Sequence, residues 1–221
     1  MRSPNFGPRR DGLLPELVVV HYTAMQSCDA AGARLCDPVA EVSAHWLIAE
    51  TGAAEALVDE ALRAWHAGAG QWGAVTDVNS RSIGIELANS GSQPFAEPQM
   101  AALERLLAGI MARWGIPPER VIGHSDMAPQ RKSDPGPRFD WRRLARQGLS
   151  VWPDPAPPAD PARFVPEARR FGYPEAPADL MLRAFRLRFR PWARGPLDGV
   201  DAGLAADLAR RFPVDAAPPA A

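Results

Sequence analysis

Leu17-Val18-Val19-Val20-His21 is the stretch on which the reading of the fold turns. A short, continuous run of mostly β-branched residues predicts a buried strand. That strand delivers His21 to its C-terminal end, the edge at which layered α/β sheets build their sites. A helix is expected over 27–35, then strands over 45–49 and 54–58 flanking a turn at Thr51-Gly52. In Ser82-Ile83-Gly84-Ile85-Glu86-Leu87 the alternation puts Ile83, Ile85 and Leu87 on one strand face. Glu86 then projects to the other face with Gly84, where a close approach is allowed.

The clearest helix is 97–114, with Pro98 in its first turn and Gly115 just past its end. Met100, Leu103, Leu107, Ile110, Met111 and Trp114 form one apolar stripe that packs on a sheet and is core. Val121-Ile122 reads as a short strand ending in Gly123-His124, and 140–147 as a short closing helix. Strands separated by helices give an α/β layered domain over 1–150. A proline-rich, extended spacer is expected over 151–161. Beyond it, helices over 162–171, 178–190 and 202–212 make a small three-helix domain (162–213), with Leu180, Leu182, Phe185 and Phe189 as its core. Residues 214–221 read as a tail.

The chain has 221 residues, 25 Lys and Arg against 26 Asp and Glu, and a net charge of −1. That balance, without basic blocks, argues against nucleic acid as a partner. Cys28 and Cys36 make no disulfide framework; a pair and two separate thiols both remain open. No run is long enough to span a bilayer, and Met1-Arg2-Ser3-Pro4-Asn5 lacks the apolar core of a signal peptide. A cytoplasmic, monomeric protein is the expectation, or a periplasmic one if a leader has been trimmed.

There are four histidines. His21 and His124 each close a strand, and Asp134 follows in a loop rich in Pro and Gly. Two imidazoles and a carboxylate suit a three-ligand zinc site with a fourth position for water. The single lysine, Lys132, lies two residues before Asp134. Its compact ammonium fits beside a developing oxyanion in a way that a planar guanidinium does not.

Six stretches occur in order: His21-Tyr22-Thr23, Val42-Ser43-Ala44-His45-Trp46-Leu47-Ile48, Ala64-Trp65-His66-Ala67-Gly68, Ser82-Ile83-Gly84-Ile85-Glu86-Leu87, Gly123-His124-Ser125-Asp126, and Arg131-Lys132-Ser133-Asp134-Pro135-Gly136. Together they resemble the zinc-dependent N-acetylmuramoyl-L-alanine amidases of type 2, over about residues 1–150. The resemblance implies a mixed central sheet flanked by helices, one zinc ion on His21, His124 and Asp134, and a catalytic pair of Glu86 and Lys132. The implied reaction is hydrolysis of the amide between the lactyl group of N-acetylmuramic acid and L-alanine, in peptidoglycan or in muropeptides. His45, Trp46, Trp65, His66, Asn79 and Arg131 are candidate substrate contacts, with Asn89 a further one and Asp126 a support for the site. Phage-type members carry a tyrosine where this chain has Ala44, so catalysis leans on Glu86.

Phe171-Gly172-Tyr173, Leu182-Arg183-Ala184-Phe185-Arg186-Leu187-Arg188-Phe189-Arg190-Pro191 and Gly199-Val200-Asp201 are similar to the small helical peptidoglycan-binding domain, with Arg186 in place of the usual glutamine. Two rival readings share these residues. One is a module that binds peptidoglycan without cutting it, and the other is a zinc peptidase acting on other amides.

Overall fold

The computed structural model describes residues 2–215. Its strands are β1 (Phe6–Gly7), β2 (Leu17–Tyr22), β3 (Trp46–Ile48), β4 (Ala54–Ala56), β5 (Arg63–Ala64), β6 (Ser82–Leu87) and β7 (Val121–Gly123). The helices are α1 (Cys28–Leu35), α2 (Glu97–Trp114), α3 (His124–Met127), α4 (Trp141–Arg146), α5 (Phe164–Phe171), α6 (Ala178–Phe189) and α7 (Gly199–Arg211). β1 and β5 form a separate antiparallel ribbon. The main sheet runs β4-β3-β6-β2-β7, with β4 antiparallel at one edge and the other strands parallel. It is the mixed, helix-flanked sheet that the sequence predicts.

The two faces of this sheet are packed differently. Val18, Val20, Ile83, Ile85 and Leu87 point to one face and meet Met100, Leu103, Leu107 and Ile110 of α2. The helix starts with Pro98 in its first turn and stops at Gly115, whose φ of 65° suits a residue without Cβ. Leu17, Val19 and Ile122 point to the other face, where one continuous cluster runs through Trp72 and Met127 to Phe164, Phe171, Phe185, Phe189 and Leu208. The helices of 162–213 therefore complete the core of the sheet's second face and do not close a core of their own. Leu180, expected in that core, is half-buried at its margin.

The proline-rich stretch is strapped to α7 rather than spanning solvent. Ala159 donates its N–H to Gly199 O at 2.8 Å, and a Cβ on Gly203 would lie 2.3 Å from Pro157 O. The expected tail also begins later than read: Val214 is buried, and Asp215 Oδ1 accepts from Ala74 N–H. The remaining tail residues, 216–221, lie outside the described residues. Cys28 and Cys36 are free thiols, and no described helix is long and apolar enough to cross a membrane.

Candidate active site

Parallel pairing of β6, β2 and β7 places three chemical groups side by side. His21 and Glu86 are direct partners across β2 and β6, and paired residues of parallel strands project to the same face. Val20 pairs with Gly123, so His124, the next residue and the first of α3, stands beside His21. Asp134 arrives from a loop tied to α3 by Ser125 N–H donating to Asp134 O at 2.9 Å. Pro135 seats this loop on Gly123, where an added Cβ would lie 2.8 Å from Pro135 Cδ.

The three groups converge. His21 Nδ1 is 2.9 Å from both His124 Nδ1 and Asp134 Oδ2, and His124 Nδ1 is 3.1 Å from the same carboxylate oxygen. All three residues are buried. Their outer hydrogen bonds decide what the inner atoms carry. Ser82 Oγ–H donates to Val78 O, so Ser82 Oγ accepts from His66 Nε2–H at 3.1 Å. That leaves His66 Nδ1 to accept from His21 Nε2–H at 3.0 Å, and His21 Nδ1 keeps a bare lone pair. His124 Nε2–H donates to Ala67 O at 2.9 Å, so its Nδ1 is likewise bare. Two lone pairs and a carboxylate oxygen face one another with no hydrogen left to share.

This donor set fits a divalent cation. Three atoms at these separations can all lie about 2.0–2.2 Å from one centre, the reach of zinc to nitrogen and oxygen. The electrostatics agree. Burial, with the neighbouring His124, pushes His21 down to about 4, which keeps its lone pair free at neutral pH. Burial works against the Asp134 charge, but the adjoining His124 and His21 rings hold its carboxyl well below the usual carboxylate range.

Glu86 lies on the same face. Its Oε2 is enclosed and has no hydrogen-bond partner among the described residues. Burial, reinforced by Asp134 and partly offset by Lys132, raises its carboxyl to about 8. Such a group holds or releases a proton near neutrality, as a general acid/base must. The exposed Lys132 lines the same cleft, and its ammonium forms no hydrogen bond or ion pair with the described residues. The cleft is open, about 370 Å³, and walled by Trp65, His66, Arg131, Tyr22 and Arg34, besides the groups above.

Several of the candidate contacts are engaged elsewhere in the structure. His45 is fully buried; its Nδ1 accepts from Gly84 N–H and its Nε2 donates to Leu62 O, so both ring nitrogens serve the backbone. Trp46 lies away from the cleft, with Nε1 donating to Glu60 Oε1 at 3.0 Å. Asn79 is buried and accepts from His66 and Ala67 N–H, fixing the loop that carries His66. Asn89 caps its own turn through Gly91 N–H. Arg131 reaches the cleft, but its guanidinium clamps Ala67 O and Ala69 O. Trp65 and His66 do line the cleft. Gly84 explains His66: a Cβ there would lie 2.4 Å from the imidazole, so the bare backbone is the floor on which the ring rests. Tyr22 and Arg34 belong to the cleft without having been singled out; Arg34 lies on the exposed side of α1 in no recognisable motif.

A family profile described as N-acetylmuramoyl-L-alanine amidase matches residues 11–137. The N-acetylmuramoyl-L-alanine amidase AmiD of Escherichia coli is 36% identical, over 90% of this chain and 84% of its own length. The 1,6-anhydro-N-acetylmuramyl-L-alanine amidase AmpD of Haemophilus influenzae is 35% identical, over 65% of this chain and 88% of its own. Among solved structures, the complex of E. coli AmiD with the substrate anhydro-N-acetylmuramic acid-L-Ala-D-gamma-Glu-L-Lys has a TM-score of 0.84 at 34% identity, covering 97% of this chain and 94% of that one. AmpDh3 of Pseudomonas aeruginosa, in complex with anhydromuramic pentapeptide, has a TM-score of 0.80 at 30% identity, covering 97% and 96%.

Proposed function

The chain belongs to the N-acetylmuramoyl-L-alanine amidase family, and from that premise we propose which of its side chains act and on what. Its reaction is hydrolysis of the amide between the lactyl group of N-acetylmuramic acid and L-alanine of the stem peptide. His21, His124 and Asp134 hold one zinc ion. Bound there, zinc lowers the pKa of a coordinated water towards about 7 and polarises the scissile carbonyl.

The remaining steps fall to the chain's own groups. Glu86 accepts the proton of the attacking water as the new C–O bond forms. The same carboxyl then gives that proton to the alanine nitrogen as the C–N bond breaks, so it ends as it began. A proton affinity raised by burial makes both transfers feasible near neutral pH. Lys132 donates to the oxyanion that develops on the carbonyl oxygen, and losing one such donor typically costs about 2.7–4 kcal/mol.

The substrate we assign is a soluble 1,6-anhydro muropeptide. Two near-full-length structural relatives were captured with anhydromuramic peptides, and the cleft here has room for a ligand of that kind. The observation that carries the reading is the convergence of two imidazole lone pairs and one carboxylate beside an unpartnered carboxyl. Incubation with a purified anhydro-muropeptide, followed by chromatography, is the test. Peptide is released, a chelator abolishes release and zinc restores it. Zinc-loaded protein that leaves the sugar–peptide link intact refutes the reading.

A further inference from the structure

Two buried arginines, two residues apart on α6, make different connections. Arg186 donates Nε to Asp201 Oδ1 at 3.1 Å and its other nitrogens to Gly195 O and Pro196 O. It ties the C-terminal helices to one another. Arg188, 2% exposed, points instead into the sheet layer. It pairs with Asp126 Oδ2 at 2.8 Å, donates to Val121 O and Ser150 Oγ at 3.1 Å each, and lies 4.5 Å from the centre of the Trp141 ring.

Asp126 is fully committed. Oδ1 accepts from Tyr173 O–H at 2.6 Å, and Oδ2, besides Arg188, accepts from Gly123 N–H at 2.8 Å. Gly123 is the residue before His124, and Asp126 is the third residue of the one-turn helix α3 that His124 opens. The same helix anchors the other loop ligand, through Ser125 N–H to Asp134 O. A displacement of α3 therefore carries two of the three converging groups with it. Burying an arginine–aspartate pair this deeply adds little stability over an apolar pair of like shape, because desolvation consumes the attraction. What such a pair does supply is a fixed geometry.

We infer that the C-terminal helices take part in building the metal site: Arg188 and Tyr173 are positioning residues that hold Asp126 against Gly123 N–H and so fix where His124 stands relative to His21 and Asp134. This rests on the assignment of His124 and Asp134 as ligands made above. The segment that the sequence likens to a glycan-binding module is, on this account, also a brace for the catalytic centre. Outer partners of ligands typically govern metal affinity by about 10- to 100-fold.

The two arginines provide a matched test in the full-length protein. The zinc Kd is measured by competition with a chelator, alongside the unfolding midpoint of the zinc-free form, for Arg188→Met, Tyr173→Phe and Arg186→Met. Arg186→Met lowers the midpoint and leaves the zinc Kd unchanged. Arg188→Met weakens zinc by about tenfold or more. Tyr173→Phe, which removes one O–H and no charge, weakens it severalfold at a smaller loss of stability than Arg188→Met; it decides the matter if Arg188→Met does not fold. An unchanged zinc Kd in Tyr173→Phe and Arg188→Met overturns the inference, as does an equal loss in Arg186→Met. Wild-type zinc binding that survives His124→Ala undamaged is a separate failure, of the ligand assignment itself.

Discussion

The two faces of the central sheet are built from the same strands but answer to different physics. On the α2 face, Val18, Val20, Ile83, Ile85 and Leu87 meet an apolar helix stripe, and nothing but packing is asked of them. On the opposite face, β2 begins as core, with Leu17 and Val19, and ends as chemistry with His21, beside Glu86 of β6. Alternation along a strand thus separates stability from reactivity by a single residue. A change at Ile85 is felt in the folding free energy, and a change at Glu86 in the rate.

Substitutions on each face can break that contrast. The largest effect is expected for Glu86→Gln, which keeps shape but cannot shuttle a proton. Its turnover should fall roughly 100- to 10,000-fold with zinc content intact, as measured by peptide release and metal analysis. Lys132→Arg should follow, losing about 100- to 1,000-fold because a planar fork misfits the oxyanion position. Near-normal rates in that variant would remove Lys132 from the machinery. On the other face, Leu107→Ala, wholly buried in α2, should cost about 2–5 kcal/mol in denaturant unfolding. Its turnover per folded molecule should not change; a rate loss there would show that the faces are coupled.

Gly84→Ala sharpens the comparison from within a single strand. The added Cβ meets the His66 ring at 2.4 Å, so the ring must move and His21 loses the acceptor that sets its tautomer. Zinc affinity should drop by about tenfold. The smallest effect concerns pH. Glu86 in the zinc-free protein has its carboxyl raised to about 8, above the usual 4.5. The folded state therefore holds a proton that the unfolded chain releases, and stability is lost as pH rises from about 4.5 through about 8. Glu86→Gln does not titrate, so the zinc-free variant should be the more stable of the two at pH 9 and lose that advantage towards pH 4. Parallel melting curves across that range check the sign.

Legibility in the sequence divides along the same line. The helix Glu97–Trp114 and the strand Ser82–Leu87 were readable to the residue, because periodicity reports one-sided burial directly. The order of the motifs points to His21, Glu86, His124, Lys132 and Asp134 as a set, and in the structure all five line one cleft. The places of His45, Trp46 and Asn79 were not readable, since a motif records that a residue matters without saying whether it faces substrate or braces the backbone. Arg188 was the hardest. In Leu187-Arg188-Phe189 it looks like one more solvated charge, and its partner Asp126 lies 62 residues away. The covering of the sheet's second face by α5–α7 was hidden for the same reason: three short amphipathic helices give no sign of which surface they meet.

Catalysis here requires His21 Nδ1, His124 Nδ1 and Asp134 Oδ2 to share one cation. Anomalous diffraction at the zinc edge from crystals of the zinc-loaded protein tests this most directly. A single peak at about 2.0–2.2 Å from all three atoms, with Glu86 outside the coordination sphere, is the predicted result. A peak held by His66 or Glu86 in place of one of the three, or none in that cleft at full zinc content, would contradict it.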